Sequence, residues 1–256
     1  DLLEAAVNLR VIGRAGVGME NIDLAAAQSH GITVVNTPTA TTLAVAEYTL
    51  ALMLALVREI PAADQTMKSG QWAKKELLGS ELYGKTLGII GLGQIGSAVA
   101  RRAAAFGMPV IACNPRLTEQ EFRQRGAEPV DLPTLYRTAD LITIHTPLTP
   151  QTNGMIDGQA LGLMKRGVYL ICTARGGIIA ETALLHALES GQVAGAALDV
   201  FAKEPPGLSA LVAHPRVIAS PHIGAQTTQA QVRAALDVAQ EVLAALRGEP
   251  LRWKIV

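Results

Sequence analysis

Arg175, Glu204 and His222 stand in three separate segments, with the sequences TARGG, LDVFAKEPP and SPHIGA. A histidine titrates near neutral pH, so it can donate or accept a proton during a reaction. A neighbouring carboxylate orients the imidazole and favours its protonated form. An arginine can bind a carboxylate through two parallel hydrogen bonds and polarise a carbonyl oxygen. These residue types therefore suit proton transfer to a small anionic substrate.

The elements that must position these residues are those of an α/β protein. Short β-branched runs alternate with helical patterns, which is typical of a parallel sheet. The runs predict strands at 9–16, 31–38, 86–91, 109–114, 141–147, 168–174, 194–201 and 217–222, and the helical patterns predict helices at 43–60, 94–106, 132–138, 181–190 and 225–248. The strands are apolar throughout, so we expect helices on both faces of the sheet. The polar, irregular residues 74–84 are predicted to be a linker.

Each of the three candidate residues follows a predicted strand. Ligands of open α/β sheets bind outside the carboxyl ends of the strands, so we expect Arg175, Glu204 and His222 to lie together there. Each also has a structural alternative. His222 could be a turn residue, Glu204 could be a solvated loop acid before two prolines, and Arg175 could cap a strand.

The motif GLGQIG at residues 91–96 lies between a predicted strand and a predicted helix. In the GxGxxG pattern, Gly91 would allow the tight turn, Gly93 the close approach of a pyrophosphate, and Gly96 the packing of the helix on the strand. The helix N-terminus adds unpaired N–H groups and partial positive charge. A purely structural turn is the alternative, but the strand–turn–helix context predicts dinucleotide binding.

Asn114 stands where an acid would bind the ribose hydroxyls of NAD. An acid would repel the 2′-phosphate of NADP, whereas asparagine would not, and Arg116 could pair with that phosphate. Asn114 could equally bond the ribose as a neutral group, with Arg116 solvated. We therefore predict NAD as the cofactor and keep NADP as the alternative.

Together, these features predict hydride transfer between a nicotinamide cofactor and a 2-keto or 2-hydroxy acid. Reduction creates an alkoxide that needs a proton, and His222 would supply it; in alcohol oxidation His222 would act as the base. His145 is a competing histidine, which we expect to shape the cofactor site.

Composition excludes several other classes of protein. The 256 residues carry 22 basic and 22 acidic side chains, and 49% are hydrophobic, so neither disorder nor nucleic acid or an anionic membrane as main partner is predicted. The only two cysteines, Cys113 and Cys172, form no metal-binding or disulfide pattern. We predict a cytoplasmic protein with no metal site, no signal peptide and no membrane span.

Seven motifs occur in order along the chain: GRAGVGMENID, NTPTATTLAVAE, GLGQIG, HTPLTPQT, TARGG, ALDVFAKEPP and SPHIGAQT. Together they resemble the D-isomer-specific 2-hydroxyacid dehydrogenases. The resemblance implies that Arg175 binds the substrate and that Glu204 pairs with His222, the proton donor. It implies a substrate-carboxylate loop formed by Gly16, Val17 and Gly18. It also implies cofactor contacts from Gln94, Ile95, Thr146, Thr173, Ala174, Asp199, Gly224 and Ala225.

The implied fold is a Rossmann-type doubly wound parallel sheet with a second, smaller and truncated flavodoxin-like substrate domain. We expect residues 39–229 to form the dinucleotide-binding domain, and residues 1–38 with 230–256 to form a partial substrate domain. The family's substrate domain has a longer N-terminal part, so we expect an exposed sheet edge beside the strand at 9–16. The family is usually dimeric through the helix matching 43–60, so a homodimer is expected.

The resemblance favours 3-phosphoglycerate as the substrate. A glyoxylate or hydroxypyruvate reductase is the nearest alternative, and a non-catalytic, nucleotide-sensing corepressor is another. The chain departs from the family at Asn114, at Cys172, where asparagine is common, and at Ala180, where aspartate is common.

Overall fold

The computed structural model describes residues 2–256. The elements follow one another in the order α1 (Leu2–Ala5), β1 (Val11–Arg14), α2 (Leu24–Ser29), β2 (Thr33–Asn36), α3 (Thr42–Val57), α4 (Ile60–Lys68), β3 (Leu87–Ile90), α5 (Gln94–Ala105), β4 (Val110–Cys113), α6 (Glu119–Gln124), β5 (Glu128–Pro129), α7 (Leu132–Thr138), β6 (Leu141–Ile144), α8 (Gly158–Leu163), β7 (Val168–Cys172), α9 (Glu181–Glu189), β8 (Val193–Leu198), β9 (Val217–Ala219) and α10 (Thr228–Arg247). The chain divides into a larger unit, Val45–Gly224, and a smaller unit that combines the described residues up to Ala44 with Ala225–Val256.

The larger unit holds a seven-stranded parallel sheet with the order β5-β4-β3-β6-β7-β8-β9. The chain builds outward from β3 to β5, then returns to the other side of β3 and builds outward again from β6 to β9. The loops after β3 and β6 therefore diverge at their carboxyl ends, which is where open α/β sheets bind ligands. The prediction of an α/β fold with a parallel sheet is confirmed.

Helices cover both faces of this sheet, as the apolar strands predict. In β6, Ile142 and Ile144 belong to one core cluster with α7, α8 and α9, whereas Leu141 belongs to the other cluster with α3 and α5. Successive residues of a strand point to opposite faces, so this strand contributes to two cores. The sheet that carries the candidate site is therefore buried on both sides.

The predicted helix at 43–60 is wrong at its C-terminal end. Helix α3 stops at Val57, and a second helix begins at Ile60 after Glu59, whose φ of 53° is left-handed. Leu50, Met53 and Val57 are buried in the larger unit's own core. This apolar face is therefore core rather than subunit interface, and the homodimer stays a prediction.

Residues 74–84 are irregular, as predicted, but they are not a linker. They lie within the larger unit, where Leu82 is buried in the core and the backbone N–H of Ser80 donates to the carbonyl of Val57 at 2.7 Å. The sequence patterns also failed to predict α1, α2, α6, β5 and α8, which are each six residues or shorter.

The smaller unit contains the parallel pair β1–β2. The C-terminal segment flanks β2 on its other side, where Lys254 pairs antiparallel with Val35. Helix α10 packs on β1 so closely that a Cβ on Gly13 would lie 2.5 Å from a methyl carbon of Val242. Within residues 2–256, no helix combines the length and the apolarity needed to cross a membrane.

Candidate active site

His222 and Glu204 form a hydrogen-bonded pair at the carboxyl edge of the large sheet. Nδ1 of His222 lies 2.8 Å from Oε2 of Glu204, and Oε1 of Glu204 accepts from the backbone N–H of Phe201 at 3.1 Å. Nε2 of His222 has no hydrogen-bond partner in the described part of the chain, and the side chain is 48% exposed. Because Nδ1 is committed to the carboxylate, Nε2 is the nitrogen available to exchange a proton with a ligand.

Asp199, at the end of β8, fixes the backbone on both sides of His222. Its buried carboxylate accepts from the hydroxyl of Ser220 at 2.7 Å and from the backbone N–H groups of Ile223 at 2.9 Å and Gly224 at 2.8 Å. His222 has a left-handed φ of 54°, which is uncommon for a residue other than glycine. Such a backbone conformation is kept only where neighbouring contacts hold it in place. Both carboxylate oxygens of Asp199 are therefore engaged by the histidine segment.

Arg175 lies in the turn after β7, and this turn packs against the segment that leads to Glu204. A Cβ on Gly176 would lie 1.8 Å from the carbonyl oxygen of Phe201, so a side chain at this position would break the contact. The guanidinium of Arg175 donates to the carbonyl of Ala174 at 2.7 Å. The structure thus joins Glu204 to His222 directly, and the Arg175 turn to the segment before Glu204.

Sequence reasoning missed a further contact to this segment. Glu181, at the start of α9, accepts from the backbone N–H of Ala202 at 2.7 Å. Ala180, the N-cap residue before it, makes no side-chain capping bond. The signal that could have found Glu181 is an acid in the first turn of the helix that follows TARGG.

Cys172, which stands where asparagine is common in the family, ends β7 next to this turn. Its thiol donates to the carbonyl of Arg175 at 3.7 Å, and burial raises its pKa to about 11. The thiol is therefore protonated at neutral pH and serves as a buried donor rather than a nucleophile. Cys113 is also a free thiol.

The glycine turn after β3 is held by close backbone packing. Gly91 has a left-handed φ of 96°, and a Cβ on it would lie 2.7 Å from the carbonyl oxygen of His145. A Cβ on Gly96 would lie 2.2 Å from the carbonyl oxygen of Gly91, so α5 can approach the turn only with glycine there. A Cβ on Gly93 would meet nothing within 4 Å. Gly93 therefore borders open space at the N-terminus of α5, which is room for a phosphate group.

His145 follows β6 beside this turn, and both of its ring nitrogens are buried with no partner among residues 2–256. Burial lowers its pKa to about 4. The ring is therefore neutral at physiological pH and unsuited to donating a proton. Of the two histidines considered for that role, the geometry favours His222.

The remaining predicted cofactor residues of the larger unit surround the strand ends. Thr146 follows His145, and its backbone nitrogen would lie 2.9 Å from a Cβ on Gly91. The hydroxyl of Thr173 lies 3.1 Å from that of Thr49, a buried polar residue of α3 that the sequence patterns did not indicate. Gln94 and Ile95 form the first turn of α5, Ala174 accepts from Arg175, and Gly224 donates to Asp199. Ala225 lies across the boundary, in the smaller unit.

Asn114 follows β4 at one side of an open pocket with a volume of about 320 Å³. Its side-chain oxygen accepts from the backbone N–H of Arg116 at 3.1 Å. The guanidinium of Arg116 is exposed and makes no ion pair with any residue that the structure describes. The pocket also borders the carboxylates of Glu119 and Asp131. An adenosine group could occupy this pocket, and Asn114 would then place an uncharged side chain beside the ribose.

The predicted carboxylate loop, Gly16–Gly18, lies in the smaller unit. The side-chain amide of Asn36 donates to the carbonyl of Val17 at 3.2 Å, and the guanidinium of Arg14 donates to the carbonyl of Gly18 at 3.2 Å. In the described chain the N–H groups of Val17 and Gly18 donate no hydrogen bond. The loop therefore offers free donors of the kind that bind anions. Residues 2–256 contain no group of three or more His, Cys, Asp or Glu side chains arranged to hold a metal ion.

Comparison with known proteins identifies relatives of this chain. The chain is 49% identical over 251 residues to D-3-phosphoglycerate dehydrogenase of Bacillus subtilis (strain 168), which covers 98% of this chain and 48% of that protein. It is 48% identical over 250 residues to D-3-phosphoglycerate dehydrogenase of Methanocaldococcus jannaschii, covering 97% of this chain and 48% of that protein. The chain thus spans about half the length of these curated relatives.

Among solved structures, a glyoxylate reductase from Paecilomyes thermophila superposes with a TM-score of 0.92 at 37% identity, covering 99% of this chain and 77% of that one. The family profile described as "D-isomer specific 2-hydroxyacid dehydrogenase, NAD binding domain" matches residues 50–224. These residues contain the glycine turn and the Glu204–His222 pair. This chain therefore belongs to the D-isomer specific 2-hydroxyacid dehydrogenase family.

Proposed function

We propose that the protein is an NAD-dependent oxidoreductase that interconverts 3-phosphoglycerate and 3-phosphohydroxypyruvate. The observation that carries this proposal is the Glu204–His222 pair, 2.8 Å apart, with Nε2 of the histidine free. It lies at the carboxyl edge of the same seven-stranded sheet whose switch point bears the glycine turn. Similarity to D-3-phosphoglycerate dehydrogenases over nearly the whole chain supports the choice of substrate.

The strand order supports the domain assignment that the family resemblance implies. Residues 39–229, which include the whole seven-stranded sheet, are proposed as a Rossmann-type dinucleotide-binding domain. Residues 1–38 with 230–256 are proposed as part of a flavodoxin-like substrate domain. The two-stranded parallel sheet and its covering helix α10 agree with this assignment.

The glycine turn fits a dinucleotide. Gly93 borders open space, and the first N–H groups of α5 have no acceptor within the helix, so they can bind a pyrophosphate. The bound nicotinamide would supply a hydride to the keto carbon of the substrate. Thr146, Thr173 and Ala174 are proposed to line its pocket.

Proton transfer is proposed to run through Nε2 of His222. Glu204 accepts from Nδ1, so the ring keeps one orientation and Nε2 stays available to the substrate. In reduction, Nε2–H donates its proton to the alkoxide oxygen, and the ring keeps the Nδ1 proton that it shares with Glu204. In oxidation, neutral Nε2 removes the hydroxyl proton. Arg175 is proposed to bind the substrate carboxylate, and the free N–H groups of Val17 and Gly18 are proposed to bind an anionic group.

A second candidate activity is reduction of glyoxylate or hydroxypyruvate with NADPH. The neutral Asn114 and the unpaired guanidinium of Arg116 favour it, because together they would accept a 2′-phosphate. The carboxylates of Glu119 and Asp131 at the same pocket oppose the added negative charge, so NAD is the preferred assignment.

The test is oxidation of NADH, with NADPH in parallel, on phosphohydroxypyruvate, hydroxypyruvate and glyoxylate. The expected result is the highest kcat/KM for NADH with phosphohydroxypyruvate. Preference for NADPH with glyoxylate would support the second candidate instead. Tight NADH binding without turnover of any of the three substrates would overturn both as activities of this chain.

A further inference from the structure

Arg125 reaches the glycine turn from a distant part of the chain. Its Nη1 donates to the carbonyl of Leu92 at 2.8 Å, across 33 residues of sequence. Leu92 stands between the first two glycines of the turn and is completely buried. The hydroxyl of Ser97 also faces this carbonyl, at 3.4 Å. The inward-facing oxygen of the turn is therefore held by a cation.

The guanidinium is itself held in place by the cap of α6. Glu121 accepts from the backbone N–H and the hydroxyl of Thr118, at 2.8 and 2.9 Å, and so completes a capping box. Nη2 of Arg125 lies 3.9 Å from Oε1 of Glu121. Two anchors, Glu121 and the Leu92 carbonyl, thus fix the side chain, which remains only one-third exposed.

We propose that Arg125 is a positioning residue for the pyrophosphate of the dinucleotide. By holding the Leu92 carbonyl inward, it keeps the N–H groups that follow, at Gly93 and in the first turn of α5, directed to the ligand. Its charge, partly offset by Glu121, also lies close enough to the turn to attract an anion there. This inference rests on the proposed use of the glycine turn for cofactor binding, and it concerns phosphate recognition alone.

The experiment measures the affinities of NADH, ADP and adenosine by titration calorimetry. Arg125→Met removes both the donor and the charge, whereas Arg125→Lys keeps the charge and can still reach a carbonyl. Arg123→Met is the matched control, because Arg123 makes the same i,i+4 type of ion pair, with Glu119 at 3.8 Å, and is 67% exposed. Thermal unfolding verifies that each variant is folded. If Arg125→Met does not fold, the affinities of Arg125→Lys for NADH, ADP and adenosine test the proposal instead.

We expect Arg125→Met to weaken NADH and ADP binding about tenfold, the effect of losing one charge-assisted hydrogen bond. Adenosine, which has no phosphate, should bind as it does to the wild type, and Arg125→Lys should lie between the two. Arg123→Met should change no affinity by more than about threefold, as for an exposed pair. The tenfold difference should shrink as salt is added.

Unchanged NADH and ADP affinities in a folded Arg125→Met variant would overturn the proposal and leave the proposed function intact. Equal weakening of adenosine and ADP would also overturn it, because the loss would then lie in the adenosine pocket. A wild-type protein that binds neither NADH nor ADP would overturn the proposed cofactor site and this inference together.

Discussion

The glycine turn at residues 91–96 and the histidine segment at residues 220–224 are held mainly by different kinds of contact. Glycines fix the turn, because a Cβ on Gly96 would lie 2.2 Å from the Gly91 carbonyl. A side chain fixes the histidine segment, because one buried carboxylate, that of Asp199, accepts three hydrogen bonds from it. The turn therefore has no room for a side chain at Gly91 or Gly96, whereas the segment depends on one particular charged group. Variants of each region should fail in different assays.

Among the variants that remove supporting contacts, Gly96→Ala should have the largest effect on NADH affinity. The added Cβ meets backbone rather than a flexible side chain, so α5 must move away from the turn. NADH affinity should fall by about 100-fold or more, because more than one charge-assisted hydrogen bond to the pyrophosphate would be lost. Gly162→Ala in α8 is the control, because its Cβ would meet nothing within 4 Å and binding should not change. Tight NADH binding by Gly96→Ala would contradict the packing described for the turn.

Asp199→Asn should impair the histidine segment by about 100-fold in kcat/KM. The amide keeps the shape of the carboxylate, but its NH₂ group replaces an oxygen that accepted hydrogen bonds. This NH₂ group then faces a hydroxyl or backbone N–H that is also a donor. Ser220→Ala, which removes one of the three donors, should cost about tenfold or less. Steady-state kinetics measures both. Activity of Asp199→Asn within threefold of the wild type would show that the segment holds His222 without this carboxylate.

His145 should make folding stability sensitive to acid. Its folded pKa of about 4 lies below the ordinary value of 6.5, so the unfolded chain binds the extra proton first as the pH falls. The contribution of the neutral His145 to the free energy of unfolding is therefore fully present above pH 6.5. It declines by about 3 kcal/mol as the pH falls to 4. Urea unfolding across this range should show the decline in the wild type and a shallower one in His145→Gln. Parallel curves would contradict the buried, neutral assignment.

The smallest effect is expected at Asp140, which lies in neither region. Burial raises the pKa of its carboxyl, but hydrogen bonds from Lys165, at 2.9 Å, and from the backbone N–H of Thr86, at 2.8 Å, outweigh it and lower the pKa. Asp140→Asn should cost about 1 kcal/mol of folding stability at pH 7. This difference should disappear as the pH falls through the folded pKa, below the ordinary aspartate range. NADH affinity and kcat should not change.

The contrast between the two regions also explains what the sequence could predict. The turn is a local pattern. Gly91 and Gly96 pack as the motif indicates, and Gly93 borders the open space that the proposed pyrophosphate would need. The pairing of Glu204 with His222 was predicted from the family resemblance and from their positions after strands. The holding role of Asp199 was not predicted, because nothing in the sequence shows which donors a buried carboxylate meets.

Arg125 and Glu181 were missed for a related reason. Each contacts a backbone group that is remote in sequence, the carbonyl of Leu92 and the N–H of Ala202, and backbone groups leave no pattern in residue types. The break between α3 and α4 depends on a left-handed glutamate, Glu59, a residue type that does not signal a helix end. The patterns thus predicted most of the longer elements and the candidate chemical groups, but not the contacts that fix them.

The role of His222 as proton donor can be tested by a paired measurement on His222→Asn. NADH affinity and the rate of NADH oxidation with phosphohydroxypyruvate are compared with those of the wild type. We predict unchanged NADH affinity and a loss of about 1,000-fold in turnover, since a positioned proton donor contributes about that much. Turnover close to the wild-type rate would contradict the assignment of His222 as the proton donor at this site.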